Sequence, residues 1–263
     1  MSDAGVPVLT SKLLSQAAGV RHAFFTRAGG VSQGVYASLN VGVGSGDEPA
    51  AVAENRRRAA AQFGAPVGRL ATCYQVHSAS VVALAAAPAE RPRADGVVTA
   101  EPGLVGGVLS ADCAPILMAD PSARVVGAVH AGWRGALAGA VEAAVAAMAG
   151  LGAVRDRIVA AVGPCIGPGS YEVGLDFLAA FEAEDAANSR FFTAGRSPEK
   201  RQFDLPRFVL SRLESAGVGR SEWVGADTLA DEARFFSNRR AVLRGEGDYG
   251  RLLSAIMLDD PPA

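Results

Sequence analysis

The sequence predicts a mixed α/β fold, and three observations carry that prediction. Short apolar runs bounded by turn residues recur along the chain, among them Val125-Val126-Gly127-Ala128-Val129 and the stretch Leu252–Leu258, and runs of this length read as strands covered on both faces. Between them lie segments of helical composition, above all 136–148, rich in Ala and Val and almost free of charge. Glycine and proline gather at the joints, most densely in Gly163-Pro164-Cys165-Ile166-Gly167-Pro168-Gly169, a shaped loop rather than a linker. With 263 residues, 49% of them hydrophobic, the chain can bury a sizeable core, and one unit over 1–263 is expected.

In order, residues 1–19 read as a loose opening with a short ordered piece near Leu13-Leu14, and His22-Ala23-Phe24-Phe25-Thr26 as a strand. The strand runs into a glycine-rich loop, Gly29-Gly30-Val31-Ser32-Gln33-Gly34, which allows close backbone approach but has neither dinucleotide nor P-loop spacing. Asp47 is expected to cap a helix that carries Pro49 in its first turn, presents Arg56-Arg57-Arg58, and stops at Gly64. Strands are expected over 70–76 and 80–84, paired with each other, then a loop over 85–94 and an Asp95-Gly96 turn into Val97-Val98-Thr99. After a strand over 157–162 and a short helix to Phe181, the polar stretch 182–202 reads as a mobile surface excursion. Asp204 caps a helix ending at Gly217, Trp223-Val224 is a short strand, 227–240 is loop-rich, and Leu252–Leu258 closes the chain as a buried strand.

Charge and cysteine usage exclude several function classes. A net charge of −2 with scattered basic residues gives no nucleic-acid or membrane surface, and no apolar stretch approaches the roughly 20 residues that span a bilayer. No secretory signal opens the chain, so a cytoplasmic protein is expected. Three cysteines without CxxC spacing argue against a disulfide framework or a closed cysteine-rich zinc site.

Chemistry concentrates in 106–135. Cys113 follows one apolar run, His130 closes the next, and His77 ends the expected strand over 70–76. Two readings stand side by side. Two histidines and a cysteine form a common zinc triad with a fourth position open to water or substrate. Alternatively, Cys113 is a thiolate nucleophile activated by His130 or His77, with Asp112 or another carboxylate orienting the imidazole. Copper on the same three ligands with Met118 axial fits by ligand type, but Met118 lies an odd number of residues from Cys113 along a strand and faces the other side. Core packing suits Met118 better.

The motifs Gly29-Gly30-Val31-Ser32, Ser38-Leu39-Asn40, Asn55-Arg56, Gln75-Val76-His77, Ala111-Asp112-Cys113-Ala114-Pro115, His130-Ala131-Gly132-Trp133-Arg134-Gly135 and Tyr171-Glu172-Val173-Gly174 together resemble the YfiH-type laccase-domain family, the polyphenol oxidoreductases, over a core of about 22–258. The resemblance implies a mixed-sheet α-β-β-α sandwich of the YfiH/CNF-like cysteine-hydrolase type. It implies zinc on His77, Cys113 and His130, and a purine nucleoside phosphorylase acting on adenosine, inosine and methylthioadenosine with phosphate, with adenosine deamination besides. Within the same family stand a peptidoglycan-precursor amidase and a copper-dependent polyphenol oxidase; a chain with three histidines has too few imidazoles for a multi-copper relay. Three positions depart from the family pattern: Asp227 before Thr228 where a Cys is common, Asn238 for a Tyr, and Ser78 for a Gly.

For these chemistries Asp112 or Glu172 is the expected proton carrier, with ordering of the loop the other role open to Asp112. Arg134, at the start of a helix in a Gly-flanked turn, is the first choice for holding phosphate, with Arg56 second and Gln75 placed beside them as substrate-binding.

Overall fold

The computed structural model describes residues 5–260; 1–4 and 261–263, which fall inside the unit expected over 1–263, lie outside the described residues. In chain order the strands are β1 (Val8–Leu9), β2 (Val20–Phe25), β3 (Leu70–Thr72), β4 (Val81–Ala83), β5 (Gly96–Thr99), β6 (Val105–Ser110), β7 (Ala114–Asp120), β8 (Val125–Ala131), β9 (Val159–Val162), β10 (Glu172–Gly174), β11 (Phe192–Ala194), β12 (Lys200–Phe203), β13 (Arg220–Trp223) and β14 (Leu252–Leu258). The α-helices are α1 (Pro49–Ala61), α2 (Trp133–Leu137), α3 (Ala140–Gly150), α4 (Leu175–Glu184), α5 (Leu205–Ser215) and α6 (Asn238–Arg244).

Two mixed sheets form the centre. One runs β1-β2-β14-β6-β3, the other β13-β9-β7-β8-β5-β4. Alternation along the strands sorts their side chains by face. Phe24, Val108, Ile256 and Leu258 of the first sheet meet Leu117, Ala119, Val126, Ala128 and Ala161 of the second in one buried cluster. On the outer face of the first sheet, Ala59 and Ala60 of α1 and the following Phe63 cover Phe25, Leu70, Val105 and Leu253. On the outer face of the second, Val141, Ala144 and Met148 of α3 and Phe208, Val209 and Leu213 of α5 cover Ile116, Met118, Val129 and Ala160. Helix, sheet, sheet, helix is thus the layer order, and the fold is mixed α/β as the alternating pattern predicts.

Several expected elements take a different form. The strand at 70–76 ends at Thr72, and β4 pairs in parallel with β5 of the other sheet rather than with β3. The segment between them therefore crosses from one sheet to the other, which periodicity within one strand does not reveal. Asp47 does not cap α1, whose cap position is Glu48 with no side-chain bond. Its Oδ2 instead accepts from Ser32 Oγ (2.6 Å) and Asn40 Nδ2 (2.9 Å). Buried Asn55 works on the same loop, accepting from Val31 N and donating to the carbonyls of Ser38 and Asn40. The helix expected over 136–148 breaks at Gly139, whose φ of 94° only glycine adopts without cost, separating α2 from α3.

The polar stretch 182–202 is no loose excursion. β11 and β12 join β10 in a three-stranded antiparallel sheet. Phe192 and Phe203 stack there at 4.8 Å between centroids, and Phe181 meets Phe203 at the same distance. Asp204 does cap α5, accepting from Arg207 N at 3.0 Å. The loop-rich 227–240 ends in α6, capped by Ser237. In the opening segment, β1 pairs with β2 and Leu14 is fully buried.

Candidate metal centre

His77, Cys113 and His130 converge. Their ligand atoms all lie within 4.8 Å of one another, the one such group of three or more metal-capable side chains among the described residues. Cys113 Sγ is 3.8 Å from His77 Nε2, and the two imidazoles meet edge to face with centroids 4.8 Å apart. Topology produces this meeting. Cys113 lies on the three-residue crossover from β6 in one sheet to β7 in the other, and His77 on the crossover from β3 to β4. The β7/β8 register sets Pro115 opposite His130, which brings Cys113 alongside the end of β8. His22 stays apart in β2, its Nε2 accepting from Ser11 N at 2.8 Å.

The small residues of the central motifs have steric reasons. A Cβ on Gly132 would sit 2.8 Å from Cys113 Sγ and 3.0 Å from His77 Cδ2, so only glycine lets the chain pass behind the two ligands. Trp133 then packs on Phe177, ring centroids 4.7 Å apart, and anchors the start of α2.

One residue of this centre escaped the sequence reading. Asp95, legible only as the first residue of a turn, is fully buried and joins two of the three ligands. Its carboxylate accepts from the backbone N–H groups of Val76, His77 and Ser78 (3.2, 3.0 and 2.7 Å) and from Ser78 Oγ (2.8 Å). Its Oδ1 also lies 2.9 Å from His130 Nδ1. The donors hold His77 in a left-handed conformation, φ 59°, that a side chain with a Cβ disfavours. With Nδ1–H donated to Asp95, Nε2 of His130 is left for the triad, the tautomer a metal ligand needs. The departure Ser78 serves this network through its hydroxyl.

Electrostatics agree with a thiolate site. Burial pushes the Cys113 thiol up, but neighbouring His130 and His77 bring it down to about 6. Burial disfavours a charged His130, yet Cys113 and Asp95 raise it to about 9. A thiolate and two imidazoles, one fixed by a carboxylate behind it, form a donor set that fits zinc or a single copper. Met118 lies fully buried among the residues beneath α3 and is no axial ligand of the triad.

Two cavities flank the triad, sharing His77, Ala111, Cys113 and Asn238 in their walls. The larger, about 310 Å³, also holds Tyr74, Gln75, Arg91, Ser110, Tyr249 and Arg251. The smaller, about 180 Å³, holds Trp133, Arg134, Tyr171 and Arg239. Arg134 is exposed and its guanidinium stacks on Trp133 with Cζ 4.4 Å from the ring centroid, while its backbone carbonyl accepts from Ala138 N. Arg239 donates to Glu172 O at 2.9 Å and lies over Tyr171.

The other expected site residues are placed differently. Arg56 donates to Val41 O and Thr72 Oγ1 and lines neither cavity, while Arg57 and Arg58 pair with Glu54 on the helix surface. The Gln75 amide is committed to the backbone of Leu109, donating and accepting at 2.7 Å. Glu172, in β10, accepts at Oε1 from Arg196 N and lines neither cavity. Asp112 points its carboxylate at the C-terminal loop, accepting from Thr228 Oγ1 (2.6 Å), Ser237 Oγ (2.9 Å) and Arg239 N (2.6 Å). Asp227 is likewise structural, accepting from Ser170 Oγ and from the backbone of Leu229 and Ala230.

Known proteins resemble nearly the whole of this chain. A protein of Deinococcus radiodurans named purine nucleoside phosphorylase is 42% identical over 98% of this chain and 95% of its own. The Escherichia coli purine nucleoside phosphorylase YfiH is 38% identical over 92% of this chain and 96% of its own. The crystal structure of Bacillus licheniformis YfiH, called a hypothetical protein, superposes with a TM-score of 0.87 at 26% identity, covering 94% and 96% of the two chains. The family description multi-copper polyphenol oxidoreductase laccase matches residues 21–259, and the chain belongs to that family.

Proposed function

We propose that the chain is a zinc-dependent purine nucleoside phosphorylase, taking adenosine, inosine or methylthioadenosine with phosphate to base and ribose 1-phosphate, and deaminating adenosine as a second activity. The observation that carries this reading is the triad standing between two cavities of unequal size, the smaller edged by two guanidinium groups. It agrees with the names of relatives about 40% identical over nearly the whole chain. A multi-copper relay does not suit a chain with two histidines at its centre. Three cysteines, all free, suit a reducing cytoplasmic setting.

In phosphorolysis a phosphate oxygen bonds to the anomeric carbon as the bond to the base nitrogen breaks, and the base leaves with that electron pair. His77, Cys113 and His130 would hold the zinc, with Asp95 orienting His130 and the His77 turn. Zinc so held would supply Lewis-acid chemistry at the centre. Arg134 and Arg239 hold the phosphate, their forks matched to its oxygens. Trp133 and Tyr171 keep those guanidinium groups over aromatic faces, so little freedom is lost when the anion binds. Asp112, which accepts from Thr228, Ser237 and Arg239 N, ties the C-terminal loop and the first turn of α6, which carries Arg239, to the centre.

Purified protein assayed against a nucleoside panel, with and without phosphate, tests this. Ribose 1-phosphate appearing only with phosphate, and inosine from adenosine without it, are the expected products; neither product from any nucleoside would reject the reading. Arg134→Lys keeps the charge and loses the fork, so phosphorolysis should fall about 10- to 100-fold while deamination changes little. Equal loss of both would make Arg134 a structural residue.

A second reading rests on the Cys113 thiol held at about 6 beside His130. That pair has the form of a cysteine hydrolase, such as an amidase acting on a cell-wall precursor, in which the thiolate attacks the carbonyl and His130 protonates the leaving amine.

A further inference from the structure

We infer that Asn238 is a specificity-determining residue whose amide reads the 2′-hydroxyl of the sugar, an assignment that deepens the phosphorylase reading above and rests on it. The two cavities beside the triad share the walls formed by His77, Ala111, Cys113 and Asn238. His77 and Cys113 belong to the metal-capable set, and Ala111 has no polar side-chain group. Asn238 is therefore the one shared-wall side chain left to hydrogen-bond what lies there. It is exposed, and its amide is bonded to no other side chain or backbone group among the described residues. Asn238 is also one of the positions at which this chain departs from the family pattern, where a Tyr is common, so the assignment concerns this chain's own residue.

The backbone beneath this amide is held on both sides. Ser237 Oγ and Arg239 N donate to the same oxygen, Asp112 Oδ2, at 2.9 and 2.6 Å, and Ser237 Oγ in turn accepts from Arg240 N at 3.1 Å. Asn238, the first residue of α6, thus meets the junction of the cavities from a fixed base, and only its side-chain torsions remain to be ordered when a ligand binds. The reaction decides which part of a nucleoside lies at that junction. Phosphate held by Arg134 and Arg239 enters from the smaller cavity, and one of its oxygens must reach the anomeric carbon, which places that carbon at the shared wall. The 2′-carbon is bonded directly to the anomeric carbon and carries a hydroxyl that both donates and accepts. A carboxamide has one end of each kind and pairs with such a group in either sense, whereas an imidazole or thiolate committed to a metal does not.

The test is kcat/KM for inosine, 2′-deoxyinosine and 3′-deoxyinosine at saturating inorganic phosphate, on zinc-loaded wild type, Asn238→Ala and Asn238→Leu. The first variant removes the amide, and the second keeps its volume without a donor or acceptor. Loss of one neutral hydrogen bond should lower kcat/KM for inosine and for 3′-deoxyinosine roughly fivefold in both variants, and leave 2′-deoxyinosine unchanged. The ratio of inosine to 2′-deoxyinosine then falls by the same factor, and because each ratio is taken on one enzyme, the different intrinsic reactivities of the two substrates cancel between wild type and variant. Metal content by elemental analysis should stay at the wild-type value. Equal losses on inosine and 2′-deoxyinosine, no loss on either, or insensitivity of 3′-deoxyinosine in place of 2′-deoxyinosine overturns the assignment with the phosphorylase reading intact. A wild type that releases no ribose 1-phosphate from inosine rejects the phosphorylase reading itself, and this assignment with it.

Discussion

Cys113→Ser should emerge from purification folded but without its metal, its affinity lower by more than about 100-fold, with phosphorolysis and deamination both lost. A thiolate is the one anionic ligand of the set, and a serine hydroxyl stays protonated at neutral pH, leaving two imidazoles that cannot close a site. Elemental analysis after purification without chelator, with circular dichroism as the check on folding, measures the first effect. The same residue separates the two chemistries considered for it. As a metal ligand, the sulfur is already bound to a cation, so an alkylating reagent should modify holo-protein slowly and chelated protein quickly, and zinc returned to unmodified apo-protein should restore activity. As a nucleophile beside His130, it should be alkylated at once, and chelation should leave turnover intact. The metal reading leaves no group idle, since His77 and His130 both serve as ligands and Asp95 fixes both. Full turnover by rigorously metal-free protein would decide for the thiol.

Strands with a strong apolar run were legible because burial on both faces demands an uninterrupted run of apolar residues. Leu252–Leu258 is the clearest case, each of its residues buried and the observed strand matching the expected one. The misplaced elements share a different cause: each depends on a partner distant in sequence. Residues 70–76 read as one strand because nothing local says that the chain must leave one sheet for the other after Thr72. The polar stretch 182–202 looked solvated because its ordering rests on Phe192 and Phe203 reaching the rings of Phe177 and Phe181, contacts that periodicity cannot see. Asp47 had the form of a helix cap, yet the glycine-rich loop needed its carboxylate more than α1 did, and Ser32 and Asn40 took it.

At the centre, residue type was a better guide than position. With three histidines and three cysteines in the chain, a site built from them had few combinations; the expected strand-end placement of His77, Cys113 and His130 made them one candidate set, and their ligand atoms lie within 4.8 Å of one another. Arginines were harder, because a guanidinium serves equally as clamp and as ligand. Arg56 is spent on Val41 and Thr72, whereas Arg239, in the first turn of α6, reaches the smaller cavity. Asp95 was invisible for a further reason: an Asp-Gly pair before a strand is an ordinary turn signal, and its role depends on the antiparallel register of β5 with β8, Gly96 opposite Val129, which delivers it to His130.

Asp95→Asn is accordingly the substitution expected to do most damage for the fewest atoms changed. The side chain keeps its shape but exchanges an acceptor oxygen for an N–H₂, which then faces donors it cannot satisfy among Val76 N, His77 N, Ser78 N, Ser78 Oγ and His130 Nδ1. Breaking one side of a buried charged network costs roughly 3–5 kcal/mol, read as a lower denaturant midpoint at neutral pH. Acid should expose the same interaction. Burial pushes the Asp95 carboxyl up, but the bonds from His130 and Ser78 outweigh it and hold the group well below the ordinary carboxylate range. A carboxyl depressed in the folded state contributes its full stability above the unfolded value of about 3.9 and loses it as pH falls toward the folded one. Wild-type stability should therefore drop more steeply than that of Asp95→Asn between about pH 4 and pH 2. Metal binding gives an independent readout: with the His77 turn released and His130 free to rotate, zinc affinity in a competition titration should fall about 10- to 100-fold even where the variant remains folded. Wild-type affinity together with parallel acid profiles would mean that the two histidines hold their geometry without Asp95, and that its carboxylate only fills space between β5 and β8.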